Sequence, residues 1–209
     1  MASLDLVIAQ FTVLVLSLSF HEAAHAWTAN RLGDPTARQL GRLTLNPLAH
    51  IDWIGTVLFP LIAIYSGFPL IGWAKPVPVD PRNLRSPRRD FGIVALAGPV
   101  SNVILAIGAA LVFWMLQLSH AASALPTIVA ETFLLAVLLN VMLAIFNMIP
   151  VPPLDGGNVL MGVAPLPVAR VINLIRPYGF IVLYLLMFSG ALRAIMRPVQ
   201  RFLLSFLLS

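Results

Sequence analysis

The chain has 209 residues, 59% apolar and 10% charged, with 13 basic and 8 acidic side chains for a net charge of +5 and a mean hydropathy of +0.93. Soluble domains carry about one quarter charged residues, so this composition excludes a soluble globular protein and points to the bilayer. The absence of cysteine excludes disulfides, thiolate zinc sites, iron–sulfur clusters and a cysteine nucleophile, and the basic excess lies in loops between apolar runs, a membrane-topology pattern rather than a nucleic-acid patch.

The first apolar run, about Leu4 to Asn30, exceeds the roughly 20 residues that cross a bilayer. It has no basic leader region, so a retained helix rather than a cleaved signal peptide is expected. Only Asp5 stands before it, whereas Arg31, Arg38 and Arg42 follow. The charge bias therefore places the N-terminus outside and the next loop in the cytoplasm. The second half of this helix carries His21-Glu22-Ala23-Ala24-His25. Histidines four apart share one helix face, so both imidazoles reach one ion. In this pattern zinc is the expected metal and the glutamate the expected general base. An ionisable residue at mid-bilayer costs about 2.5–3.5 kcal/mol on insertion scales. A bound cation is the simplest compensation for three of them in five positions.

After turn chemistry at Gly33-Asp34-Pro35, the alternation in Arg42-Leu43-Thr44-Leu45 reads as a half-buried strand. The stretch Trp53 to Leu70 is apolar but broken by Gly55, Pro60, Gly67 and Pro69. If it crossed, Lys75, Arg82, Arg85, Arg88 and Arg89 would lie outside, against the charge bias. A re-entrant, hairpin-like insertion keeps them cytoplasmic, provided protein or water covers its backbone. Pro76-Val77-Pro78 allows only edge or irregular strand.

Phe91 to Leu118 is the second span, with Gly98-Pro99 giving a kink and close backbone approach, and with Asn102 a lone polar side chain. Asn102 reads either as an interhelical hydrogen bond or as a contact to substrate or the reacting carbonyl. The loop Ser119 to Pro126 carries no Lys or Arg and is expected outside. A third span, about Thr127 to Ile149, returns the chain and ends in Asn147-Met148-Ile149-Pro150-Val151-Pro152-Pro153-Leu154-Asp155-Gly156-Gly157. A last span is expected over about Tyr178 to Leu192, followed by Arg193, Arg197 and Arg201 and an apolar end that suits an interfacial tail. A catalytic zinc wants a third protein ligand and a water. Asp155 has the right depth and a permissive turn; His50 and Asp52 are rivals on the same side, and His120 is on the other.

Taken together, the segments His21–Trp27, Gly41–Asp52, Gly72–Asp90, Ala95–Asn102 and Asn147–Leu160 closely resemble the site-2 protease family, membrane-embedded zinc metalloproteases, in its compact bacterial form without PDZ or CBS domains. The resemblance implies His21, His25 and Asp155 as ligands of one Zn2+ and Glu22 as the base. It implies Asn102 and Asn147 as groups assisting substrate or oxyanion, and Gly41 to about Val79 as a membrane-associated β-like segment that pairs with an unwound substrate helix. Trp53 departs from the family's usual proline.

The expected protein is one all-α polytopic domain over residues 1–209, with about four transmembrane helices plus the re-entrant β-like segment. It would sit in the cell membrane with its site toward the cytoplasm, hydrolysing peptide bonds in or beside transmembrane segments. Its partners would be a membrane-protein substrate and the bilayer, without nucleic acid. A metal transporter would need a second ligand set, but the middle spans offer Asn102, Gln117, Glu131 and Asn140 without intramembrane His or Asp. A binding-only scaffold would have no use for Glu22.

Overall fold

The structure is a computed structural model describing residues 4–66, 73–118 and 126–208. Gly67 and Pro69, the loop Ser119 to Ala124 and His120 lie outside the described residues. Helix α1 spans Leu4–Arg31, a length of about 42 Å at 1.5 Å per residue. Asp5 in its first turn and Arg31 in its last complement the helix dipole. Its end is sequence-encoded. Gly33 takes φ 111°, which lets Asp34 N–H reach back to Ala29 O at 2.9 Å. The carboxylate of Asp34, fully buried, then accepts from Asp80 N–H at 2.8 Å and Asn83 Nδ2 at 3.0 Å. The α1 terminus and the 80–83 segment are thereby tied together. A four-residue helix α2, Thr36–Gln39, follows.

The next stretch differs from its expected strand character. No strand forms among the described residues. Residues 42–46 are irregular, Asn46 caps a 3-10 turn at Pro47–Ala49, and Asp52 caps a π-helical turn over Trp53–Leu58 through Ile54 and Gly55 N–H. Helix α3, Phe59–Ser66, continues from it. Residues 73–80 carry no regular structure: Pro76 and Pro78 donate nothing to a ladder, and no neighbouring strand is there to pair. Yet the excursion is closed where it opens. Lys75 N–H donates to His50 O at 2.9 Å and Trp73 N–H to Gly55 O at 3.1 Å, while Thr56 Oγ donates to Trp73 O at 2.8 Å.

The long helices α4, Pro87–Leu118, and α5, Thr127–Asn147, pack with α1 into the bundle that carries the site. Val13, Leu14 and Leu18 of α1 meet Leu139 and Leu143 of α5. Ala106 and Ala110 of α4 meet Val137, Val141 and Ile145 of α5. Small residues let backbones approach closely where apolar burial drives little in lipid. The short helix α6, Asp155–Val163, crosses α4 at a glycine pair, with a methyl on Gly162 falling 2.9 Å from Gly92 Cα.

The C-terminal part departs from the expected boundaries. Helix α7, Leu166–Ile175, runs through a 3-10 turn at Arg176–Tyr178 into α8, Gly179–Phe188, and Gly190 with φ 77° ends the run. The apolar stretch is thus Leu166–Phe188 rather than 178–192. Among the described residues it is one of four helical runs, with Leu4–Arg31, Pro87–Leu118 and Thr127–Asn147, long and apolar enough to cross a bilayer. Helix α9, Ala191–Leu208, sets Met196, Leu203, Leu204 and Leu207 against the α4–α5 core. Trp114 Nε1 donates to Leu207 O at 3.0 Å, so the tail is packed on protein.

Candidate active site

Helix α1 presents His21 and His25 one turn apart and both buried. Their rings stand nearly perpendicular, at 86°, with Nε2 atoms 3.1 Å apart. Asp155 reaches the same point from the first turn of α6. Its Oδ2 lies 3.1 Å from His21 Nε2 and 3.4 Å from His25 Nε2. The glycines after Asp155 make this possible. A methyl on Gly156 would fall 2.3 Å from Met148 O, and one on Gly157 2.7 Å from Pro152 N. Only glycine lets residues 155–157 tuck beneath the 148–153 loop.

Three features show that the site fits a divalent cation. First, donors bound to one zinc at about 2.0–2.1 Å in a tetrahedron lie about 3.3 Å apart, and the three edges here are 3.1, 3.1 and 3.4 Å. Second, the metal-facing atoms carry lone pairs. His25 Nδ1 is 2.7 Å from Val94 O; a carbonyl only accepts, so the proton is on Nδ1 and Nε2 is free. Asp155 Oδ2 is buried without a hydrogen-bond partner. Third, space is reserved. Gly98 of α4 faces the imidazoles, and a methyl there would sit 2.4 Å from His25 Nε2 and 2.6 Å from His21 Nε2. Among the described residues, His21, His25 and Asp155 are the one cluster of metal-ligating side chains.

Glu22, next to His21, is largely buried. Its Oε2 accepts Val77 N–H at 2.8 Å. Flanked by Pro76 and Pro78, Val77 supplies the only backbone donor of those three residues. The buried Arg42 guanidinium holds the same segment through Lys75 O and Pro76 O.

The other sequence candidates fall as follows. Asn102 is fully buried, with Oδ1 2.6 Å from His21 Nδ1 and Nδ2 2.8 Å from Asn140 Oδ1. Asn147 ends α5 half-buried, with Nδ2 donating to Leu143 O at 3.1 Å. His50 is turned away, its Nε2 on Thr44 O at 2.8 Å, and Asp52 is a helix cap. Neither rival joins the cluster. The sequence reading missed Gly98 as a wall of the site, Val77 as the partner of Glu22, and Ser17 and Asn140 behind Asn102. The available signal was that Ser17 stands one turn before His21 and that Asn140 is a second lone amide in an apolar span.

An open cleft of about 460 Å3 lies on the other face of α1, between Phe20, Ala24 and Trp27, Leu43 and Leu45, and Ser101. None of His21, Glu22, His25 and Asp155 lines it.

Comparison with known proteins bears on this geometry. The profile of Peptidase family M50 matches residues 115–186. The curated "Putative zinc metalloprotease YwhC" of Bacillus subtilis (strain 168) is 41% identical over 179 residues, covering 83% of this chain and 77% of that protein. The "Putative zinc metalloprotease Rip2" of Mycolicibacterium smegmatis (strain ATCC 700084 / mc(2)155) is 30% identical over 181 residues, covering 85% of this chain and 66% of that protein. No solved structure is a significant match.

Proposed function

The chain belongs to peptidase family M50, the site-2 protease family of zinc metalloproteases, and from that premise we propose that it cleaves peptide bonds in or beside transmembrane segments, with His21, His25 and Asp155 holding the zinc and Glu22 as general base. The chain is a multi-pass membrane protein, and the observation that carries the site reading is the meeting of three lone-pair atoms within 3.4 Å around an unpartnered Asp155 oxygen.

When bound, zinc lowers the pKa of its water toward neutrality and polarises the scissile carbonyl. Glu22 takes the proton of the attacking water and delivers it to the leaving nitrogen. The Val77 N–H occupies Oε2, leaving Oε1 for that transfer. Asn147, half-buried at the end of α5 with its Nδ2 on Leu143 O at 3.1 Å, is the group we assign to substrate backbone. A substrate helix must unwind to expose its carbonyls, and strand-like pairing would offset that cost. The backbone of Leu43 and Leu45, on the 460 Å3 cleft, makes no hydrogen bond to the other described residues and supports such pairing.

The test needs no substrate. Purified wild type is expected to carry one zinc per chain, and Asp155→Ala to lose most of it. Full zinc in the variant would remove Asp155 from the ligand set, and a well-folded wild type without metal would end the protease reading. The cytoplasmic orientation has its own test. The segment from Trp53 to Trp73 leaves and returns at one hydrogen-bonded point, which supports a re-entrant rather than a crossing path. A cysteine at Arg85 is therefore expected to react with an impermeant thiol reagent only from the cytoplasmic face. Labelling from outside would reverse the topology.

A further inference from the structure

His21 turns Nε2 toward Asp155 and His25, so it can hold a cation only with its proton on Nδ1. Nothing within the imidazole selects that tautomer. The partner of Nδ1 does, and that partner is an amide, Asn102, which can present either oxygen or nitrogen. Were Asn102 turned over, its NH2 would face Nδ1, the proton would be driven to Nε2, and the metal-facing lone pair would vanish.

What Asn102 meets at its other end decides the matter. Its second amide atom faces Asn140 at 2.8 Å and Ser17 O at 3.4 Å. Asn140 places its own nitrogen 2.9 Å from Ala136 O and 2.9 Å from Ser17 Oγ. A backbone carbonyl can only accept. Ala136 O therefore fixes the nitrogen end of Asn140. That turns the Asn140 oxygen to Asn102, and the Asn102 oxygen to His21. All three polar side chains are at most 3% exposed, so no bulk water stands in for a missing member. Residues from α1, α4 and α5 form one directed chain.

We infer that Asn140, anchored by Ala136 O and Ser17 Oγ, is a positioning residue that selects the metal-binding tautomer of His21 through Asn102. This rests on the zinc reading of the site. Partners that orient metal-bound histidines change metal affinity by about 10–100-fold when lost.

The test uses the full chain in detergent with 15N-labelled histidine; four histidines can be assigned by substitution. After chelation of zinc, wild-type His21 is expected to keep its proton on Nδ1, and Asn140→Leu, in which only the longer contact to Ser17 O at 3.4 Å still orients Asn102, to lose that proton in part. By chelator competition, zinc affinity is expected to fall about 10–100-fold in Asn140→Leu. It should fall less in Ser17→Ala, where Ala136 O still sets the direction, and return in Ser17→Thr. Unchanged zinc affinity in a folded Asn140→Leu overturns the inference. So does a wild-type His21 without a proton on Nδ1, a measurement that stands even where the variant fails to fold. A wild type with the Nδ1–H tautomer but no affinity for zinc would instead overturn the metal reading beneath it.

Discussion

Glu22→Gln is expected to keep its zinc and lose about 10²–10⁴-fold in kcat, the range general base catalysis contributes. The substitution is close to isosteric. The Gln carbonyl oxygen can still accept Val77 N–H, so the contact of Oε2 at 2.8 Å persists. The three clustered ligand atoms belong to other residues, so metal content is unaffected. Only the ability to take a proton is removed. The readout is cleavage of a transmembrane peptide in reconstituted vesicles beside zinc per chain, and wild-type turnover in a zinc-loaded variant would remove Glu22 from the chemistry. A variant that lost its zinc would show that the carboxylate acts on the metal instead.

Gly98→Ala is expected to abolish zinc binding in a protein that still folds. The new methyl would lie 2.4 Å from His25 Nε2 and 2.6 Å from His21 Nε2, where about 3.4 Å is needed for ordinary carbon–nitrogen contact. Neither ring can swing away cheaply, because Val94 O and Asn102 hold their other nitrogens. Overpacking of this kind costs about 1–3 kcal/mol, which a bundle can survive while its metal site does not. Gly108 is the matched control. It lies on the same helix with no atom within 4 Å of the equivalent methyl, so Gly108→Ala should keep zinc and gain up to about 1 kcal/mol of helix propensity. Stoichiometric zinc in Gly98→Ala would mean that the imidazoles do not face α4 as described.

The pairing of His21 and His25 on α1 was legible because it is local: residues four apart on one helix share a face whatever the tertiary structure does. Asp155 was harder. Depth and turn chemistry admitted it beside His50 and Asp52, and only packing separates them, since His50 spends its ring on Thr44 O and Asp52 its carboxylate on a helix start. The tuck that places Asp155 depends on Gly156 against Met148 O, a contact no periodicity encodes. The spans were readable from length and hydropathy, but the last one was misplaced because the stop at Gly190 depends on φ 77° and the helix continues through Pro177. The alternation in Arg42–Leu45 suggested a strand, yet a strand needs a neighbour, and the nearby 73–80 segment has two prolines where donors would be. The chain Ser17–Asn140–Asn102–His21 could not be read at all: Ser17 and Asn140 are 123 positions apart, and only the bundle brings them together.

The closure of the 50–75 excursion bears on how such a protease can diversify. Its two ends are joined by His50 O and Lys75 N–H, and Val77, which meets Glu22, stands only two residues beyond. Residues gained or lost inside the excursion therefore shift neither Val77 nor the base it holds. Doubling a loop adds only about 0.6 kcal/mol of closure entropy. The apolar segment is a cassette: its length can change while the register of Val77 against Glu22 stays locked.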